Sequence, residues 1–206
     1  MSHYFENDQT LPSNLKKTVT YLFGKSYTFY TDNGVFAKKG LDFGSKLLLE
    51  SLPYSELKGP VLDVGCGYGV LGIIINKKTG LETDMIDVNK RAIHLAKRNI
   101  KENGCANIDV FESNCYENIT KTYQTIITNP PIRAGKKIVY EILLDAKKHL
   151  VKNGNLYLVI RKEQGAKSVI SDLQKYYDVT VITKSKGFFI IKAENYWLVE
   201  KTMVII

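Results

Sequence analysis

The chain has 206 residues, 44% hydrophobic and 24% charged, enough for one substantial core with an ordinary globular balance. No run of about 18 apolar residues occurs, so no transmembrane helix is expected. The net charge of +8 fits a solvated lysine surface and a polyanion partner about equally well.

The start, "MSHYFENDQT", lacks the basic-then-apolar layout of a secretion signal. Three cysteines, Cys66, Cys105 and Cys115, form no CxxC pair, which points to reduced thiols in a cytoplasmic protein without a disulfide framework or a zinc site. Residues 18–35 alternate β-branched and aromatic residues around Gly24-Lys25, the pattern of a hairpin. Residues 41–51 have helical apolar spacing and stop before Pro53. From residue 60 strands and helices alternate. The predicted strands are 60–65, 83–88, 108–113, 123–129, 155–161, 178–183 and 187–195. The predicted helices are 69–78, 90–104, 136–152 (closed by Asn153-Gly154) and 164–176. Near-continuous apolar strands alternating with helices mean a Rossmann-like, doubly wound α/β sheet of seven strands. The link Lys184-Ser185-Lys186-Gly187 is too short for a parallel crossover, so the last strand runs antiparallel. A small N-terminal β-hairpin is expected as an extension beside this sheet.

The stretch "VLDVGCGYGVLGI" (61–73) places glycines after the first strand of the sheet, where backbone approaches a ligand at a helix N-terminus. Gly67, Gly69 and Gly72 satisfy GxGxxG, with Asp87 20 residues past Gly67, which alone would suit NAD. Asp63 beside the loop would repel a pyrophosphate. It suits a cationic group such as the ammonium of S-adenosylmethionine. Strand four then ends in Asn129-Pro130-Pro131, at the crevice where doubly wound sheets bind ligands. Each proline restricts its neighbour, so this loop holds one amide and one carbonyl rigidly.

With "MIDVN" and "NPPI" following in order, the chain resembles class I S-adenosylmethionine-dependent methyltransferases. "GVFAKKGLDFGS", "NPPIRAGKK", "VIRKEQGA" and "KGFFIIKA" narrow this. They resemble the small-domain family of the ribosomal small-subunit RNA guanine-N2 methyltransferase C. The resemblance implies a single methyltransferase unit over 53–206, with residues 1–52 as a hairpin and helix extension. It implies that Gly65, Cys66 and Gly67 pass the methionine part of the cofactor and that Asp63 holds its amino group, directly or through water. Asp87 and Val88 would line the ribose, the Asp87 carboxylate accepting from both hydroxyls, and Asn114 would accept from the adenine amine. Asp63 also fits a cap for the glycine turn, and Asp87 an N-cap for the helix from Lys90.

Asn129, Pro130 and Pro131 are the implied catalytic loop, gripping an exocyclic NH2 beside the cofactor methyl, with Asn129 also among the implied cofactor-binding residues, and no metal is called for. Ile132 replaces the aromatic that many amine methyltransferases carry there. Phe36 is then the candidate stacking residue, with Arg133 and Lys136 contacting base edge or phosphate, and Arg161-Lys162 at the same rim. The hairpin tyrosines Tyr21, Tyr27 and Tyr30 would cover the sheet or present an RNA platform. The expected activity is methylation of guanine N2 in ribosomal RNA, free or within the small ribosomal subunit. The alternatives are a glutamine methyltransferase of a translation factor, an NAD enzyme and a non-catalytic RNA-binding module.

Overall fold

The computed structural model describes residues 12–35 and 40–196. A hairpin of β1 (Lys16–Leu22) and β2 (Lys25–Thr31) precedes helix α1 (Phe43–Ser51). The sheet then builds from β3 (Val61–Val64), β4 (Thr83–Asp87), β5 (Ile108–Glu112), β6 (Tyr123–Thr128), β7 (Leu150–Arg161), β8 (Asp178–Ser185) and β9 (Phe188–Glu194). Its order is β5-β4-β3-β6-β7-β9-β8. The pairs among β3 to β7 are parallel, and β9 is antiparallel to both β7 and β8. The order reverses between β3 and β6, which opens a crevice at their carboxyl ends.

Side chains alternate across the sheet and both faces are covered, so both are apolar. Val61 joins the layer of α1, α2 (Val70–Thr79) and α3 (Lys90–Glu102), while Leu62 and Val64 join the layer of α4 (Lys136–His149) and α5 (Ala166–Leu173). By that parity Asp63 points under α2. Every residue of α2 from Val70 to Asn76 is buried, as expected of a helix between the sheet and two other helices.

The hairpin is held by an arrangement the sequence does not announce. Asn99 in α3 and Asn103, its C-cap, lie one turn apart, a rise of about 6 Å, close to the two-residue repeat of a strand. Each amide serves the outer edge of β2 as a neighbouring strand would. Asn99 Oδ1 accepts from Tyr30 N at 2.7 Å, and Nδ2 donates to Tyr30 O at 3.1 Å. Asn103 repeats the pair with Thr28, at 3.1 and 2.8 Å. Asn99 Nδ2 also donates to Tyr68 O at 2.9 Å, tying hairpin, helix and glycine turn together. Tyr27 is buried, Tyr30 lies under the Arg98 guanidinium at 3.5 Å, and Tyr21 alone of the three stands out, at 74% exposure.

Four boundaries differ from expectation. The hairpin turn is Phe23-Gly24 rather than Gly24-Lys25. Both residues have positive φ, 53° and 71°, the type I′ geometry that matches strand twist. The last hairpin likewise turns on Lys186-Gly187 alone, at 46° and 79°. Helix α4 stops at His149, because buried Leu150 already pairs with Tyr123, and Asn153-Gly154 falls within β7 as a local irregularity at φ 60° rather than as a helix cap. The helix expected over 164–176 is shorter. Residues 162–164 form one 3-10 turn, and α5 opens at Ala166 after left-handed Gly165. The apolar run at the C-terminus lies almost wholly outside the described residues, among which no helix is long and apolar enough to cross a membrane.

Candidate active site

The crevice holds a cavity of about 620 Å³ lined by both predicted loops. Gly65, Gly67 and Gly69 have φ of 71°, 57° and 91°, so the turn after β3 depends on residues without Cβ. A Cβ on Gly65 would stand 3.8 Å from Pro131 Cδ, so the turn and the Asn-Pro-Pro loop lie within one side-chain atom of each other. Thr128 Oγ1 donates to Val64 O at 2.8 Å and pins the two strand ends together. Asp87 closes the far side of the turn. Its Oδ2 accepts from Gly67 N and its Oδ1 from Asn89 N, both at 2.8 Å. Asn89, not Asp87, caps α3, accepting from Arg91 N and Ala92 N. Asp87 itself lines the cavity at the end of β4.

Asn129 sits between the two halves of the cavity. Its Nδ2 donates to Ser45 Oγ at 2.9 Å, which leaves Oδ1 as the outward acceptor. Ser45 is presented by the first turn of α1, where Asp42 caps the helix by accepting from Ser45 N at 3.1 Å. Pro131 has φ −74° and ψ 79°, and Pro130 O accepts from Ile132 N at 2.9 Å. This is an inverse γ-turn. It fixes the direction of the Pro130 carbonyl, uses one of its lone pairs and leaves the other.

Gly65, Cys66, Gly67, Asp87, Val88, Asn114, Asn129, Pro130, Pro131, Ile132 and Arg133 all line the cavity. Asn114 Nδ2 donates to Glu117 Oε1 at 3.0 Å. Two predicted residues are placed elsewhere. Lys136 lies outside the lining, its ammonium 5.0 Å over the Tyr140 ring. Asp63 is fully buried behind the turn, with Oδ2 accepting from Gly72 N at 2.9 Å, which is the capping arrangement. Its Oδ1 is buried without a hydrogen-bond partner. Phe36 lies outside the described residues. Sequence reasoning missed Asp42, Phe43, Ser45 and Phe188, which also line the cavity. Asp42 immediately before an apolar-periodic run was the legible signal, since aspartate there marks a helix start.

Burial, opposed by the Gly72 hydrogen bond and reinforced by the Asp87 charge, pushes the Asp63 carboxyl up to about 7. The folded protein therefore holds a proton that the unfolded chain releases near pH 4, and this group's contribution to stability declines as pH rises from about 4 to 7. The stability of Asp63→Asn relative to the parent should climb over that window and level off above it, as read by urea unfolding at each pH. A flat difference would mean that the carboxyl is ionised throughout. Burial also raises the Cys66 thiol, and the Cys115 thiol to about 12, which keeps both protonated and unreactive at neutral pH.

A left-handed glycine turn, a strand-end carboxylate one strand away and an asparagine in the same cavity wall fit a nucleoside carrying an amino-acid tail. The fold and this site define a class I S-adenosylmethionine-dependent methyltransferase. The family model described as methyltransferase small domain matches residues 26–192, and the chain belongs to that family. It is 43% identical over 197 residues to "Uncharacterized protein YbxB" of Bacillus subtilis, covering 94% of this chain and 98% of that one. It is 36% identical over 166 residues to ribosomal RNA small subunit methyltransferase C of Colwellia psychrerythraea, covering 78% of this chain and 45% of that one. Among solved structures it resembles the T. thermophilus 16S rRNA N2 G1207 methyltransferase in complex with AdoMet and guanosine. That likeness, with a TM-score of 0.79 at 23% identity over 90% of this chain and 52% of the other, shows the fold. The chain thus spans about half the length of both.

Proposed function

We propose that this protein methylates an exocyclic amine of RNA, and that the acceptor is guanine N2 of ribosomal RNA. The observation that carries this is the Asn129 amide, whose nitrogen is committed to Ser45, in a cavity wall that it shares with the next residue, Pro130. S-adenosylmethionine, when bound, supplies an electrophilic methyl on a sulfonium sulfur. An exocyclic amine is a poor nucleophile because its lone pair is delocalised into the ring. Asn129 Oδ1 and Pro130 O each accept one N–H, which favours a nitrogen closer to tetrahedral and aims its lone pair across the loop at the glycine turn. The γ-turn and Ser45 preorganise both acceptors, so little is lost in ordering them. The proton leaves to water after the methyl has moved, and no general base is required.

In this reading the Asp87 carboxylate takes the ribose hydroxyls, with Gly65, Cys66 and Gly67 along the amino-acid tail. Asp87→Ala removes that acceptor and strands the N–H groups of Gly67 and Asn89. It should weaken cofactor binding by about 100-fold, the equivalent of about 3 kcal/mol, in calorimetric titration. A loss under about threefold would place the ribose elsewhere.

The acceptor assignment is supported by the named activity of the ribosomal RNA relatives, by the +8 charge and by Ile132 where glutamine-directed enzymes usually carry tyrosine. The test incubates purified protein and labelled cofactor with undermethylated ribosomal RNA, small subunits and bulk protein. Label should enter RNA and be recovered as N2-methylguanosine after digestion. Recovery in protein, or in another nucleoside, overturns the assignment.

A further inference from the structure

The part of the cavity beyond Asn129, along the ends of β7 and β9, carries an aromatic and cationic wall that the catalytic loop does not explain. Phe43 is 36% exposed at the start of α1, and its ring centroid lies 5.3 Å from that of Phe188, tilted by 51°. The Arg161 guanidinium stands 4.4 Å over Phe188, and the Lys186 ammonium 5.0 Å over Phe43. Gly44 between them is informative. A Cβ there would come within 2.8 Å of Phe188 Cε1. Glycine is a poor helix former, and here its missing side chain makes the room that Phe188 occupies. The wall is also tied to the chemistry. Ser45, which orients Asn129, is two residues from Phe43 in the same turn of α1.

We propose that Phe43, Phe188 and Arg161 form the platform on which the target base stacks, with Arg161 and Lys186 meeting the flanking phosphates. The proposal rests on the reading above, in which the acceptor amine belongs to a nucleobase. Such a base must leave its own stack to reach the cavity. Aromatic rings and guanidinium planes replace the stacking it loses, and they do so whatever the neighbouring sequence. A flat ring laid on this wall carries its amine toward Asn129 through the rigid α1 turn. The platform also answers the absence of an aromatic at Ile132.

The test measures methyl transfer to undermethylated ribosomal RNA by Phe43→Leu, Phe188→Leu, Gly44→Ala and Phe188→Tyr. The first three should raise KM for RNA about tenfold or more, while Phe188→Tyr, which retains an aromatic face, should raise it clearly less than Phe188→Leu. Affinity for S-adenosylhomocysteine should stay within about twofold in all four, because no residue of the cofactor half is touched. Gly44→Ala introduces a better helix former, so a rise in its KM reports the displaced ring and not a failing fold. Unchanged KM in the first three variants overturns the platform and leaves the RNA assignment standing. A second arm titrates guanosine 5′-monophosphate in the presence of S-adenosylhomocysteine, followed by NMR. If the parent labels no RNA but binds the nucleotide, and the leucine variants do not, the platform stands and the ribosomal RNA assignment falls. If the parent neither labels RNA nor binds the nucleotide, both fall.

Discussion

Asn129→Ala should lower kcat for methyl transfer by about 10² to 10³-fold while leaving cofactor affinity within about threefold of the parent. Under the proposed mechanism the substitution deletes one of two acceptors for the amine, and it does so at the end of β6, across β3 from Asp87 at the end of β4. The Pro130 carbonyl stays in place because its γ-turn is made by backbone alone. Ser45→Ala is the graded companion. It keeps the Asn129 oxygen but releases the amide to rotate, and a loss of about tenfold in kcat is expected. Single-turnover transfer and calorimetry on the same preparations separate the two quantities. Should cofactor affinity fall in step with kcat, the amide is holding the loop together and not orienting an amine.

Asn99→Ala should cost about 3 kcal/mol of folding stability. For a chain of this length that lowers Tm by about 6–12 °C. Asn99 is 0% exposed and its amide serves three backbone groups, the N–H and C=O of Tyr30 and the C=O of Tyr68. Truncation leaves those groups without partners and opens a void beneath the hairpin. The effect should reach the cavity. Beyond β2 the chain continues to Asn33 and Gly34, whose carbonyls accept from Arg91 Nη1 and Asn89 Nδ2, and Gly34 and Val35 line the cavity near Asp87. Hydrogen exchange should therefore show faster exchange at the Thr28 and Tyr30 amides. A loss below about 1 kcal/mol, or unchanged protection at Tyr30, would mean that the hairpin is held by its apolar contacts alone.

The sheet was legible because buried parallel strands write themselves as short apolar runs, and helices such as α3 keep a clear 3.6-residue stripe. The antiparallel return of β9 followed from the length of one link. Asp87 and Asn129 were legible because each sits at a strand end in a fixed order, where the crevice must lie. What was not legible depends on contacts between distant segments. Phe43 and Phe188 meet only once β9 has returned beside β7, and nothing local marks either as lining a site. The destination of Asp63 turned on parity. A residue two before the glycine turn faces α2 and not the cavity, so its first oxygen goes to Gly72. Asn99 and Asn103 look like ordinary surface amides on a basic helix until the edge of β2 is laid against them. The end of α4 was overrun because Leu150 suits a helix and a strand equally, and its pairing with Tyr123 decided for the strand.

The amides of α3 have a bearing on solubility as well. A two-stranded ribbon offers two open edges, and each invites strand addition by another chain. On β2 that invitation is withdrawn, since the outward groups of Thr28 and Tyr30 already hold side-chain partners. Among the described residues of the ribbon that leaves the outer edge of β1, whose entrance carries the adjacent residues Lys16 and Lys17, and lysines on an edge discourage stacking of one copy on the next. Loss of both asparagines should therefore show first as concentration-dependent turbidity on mild heating, before any change in the sheet itself.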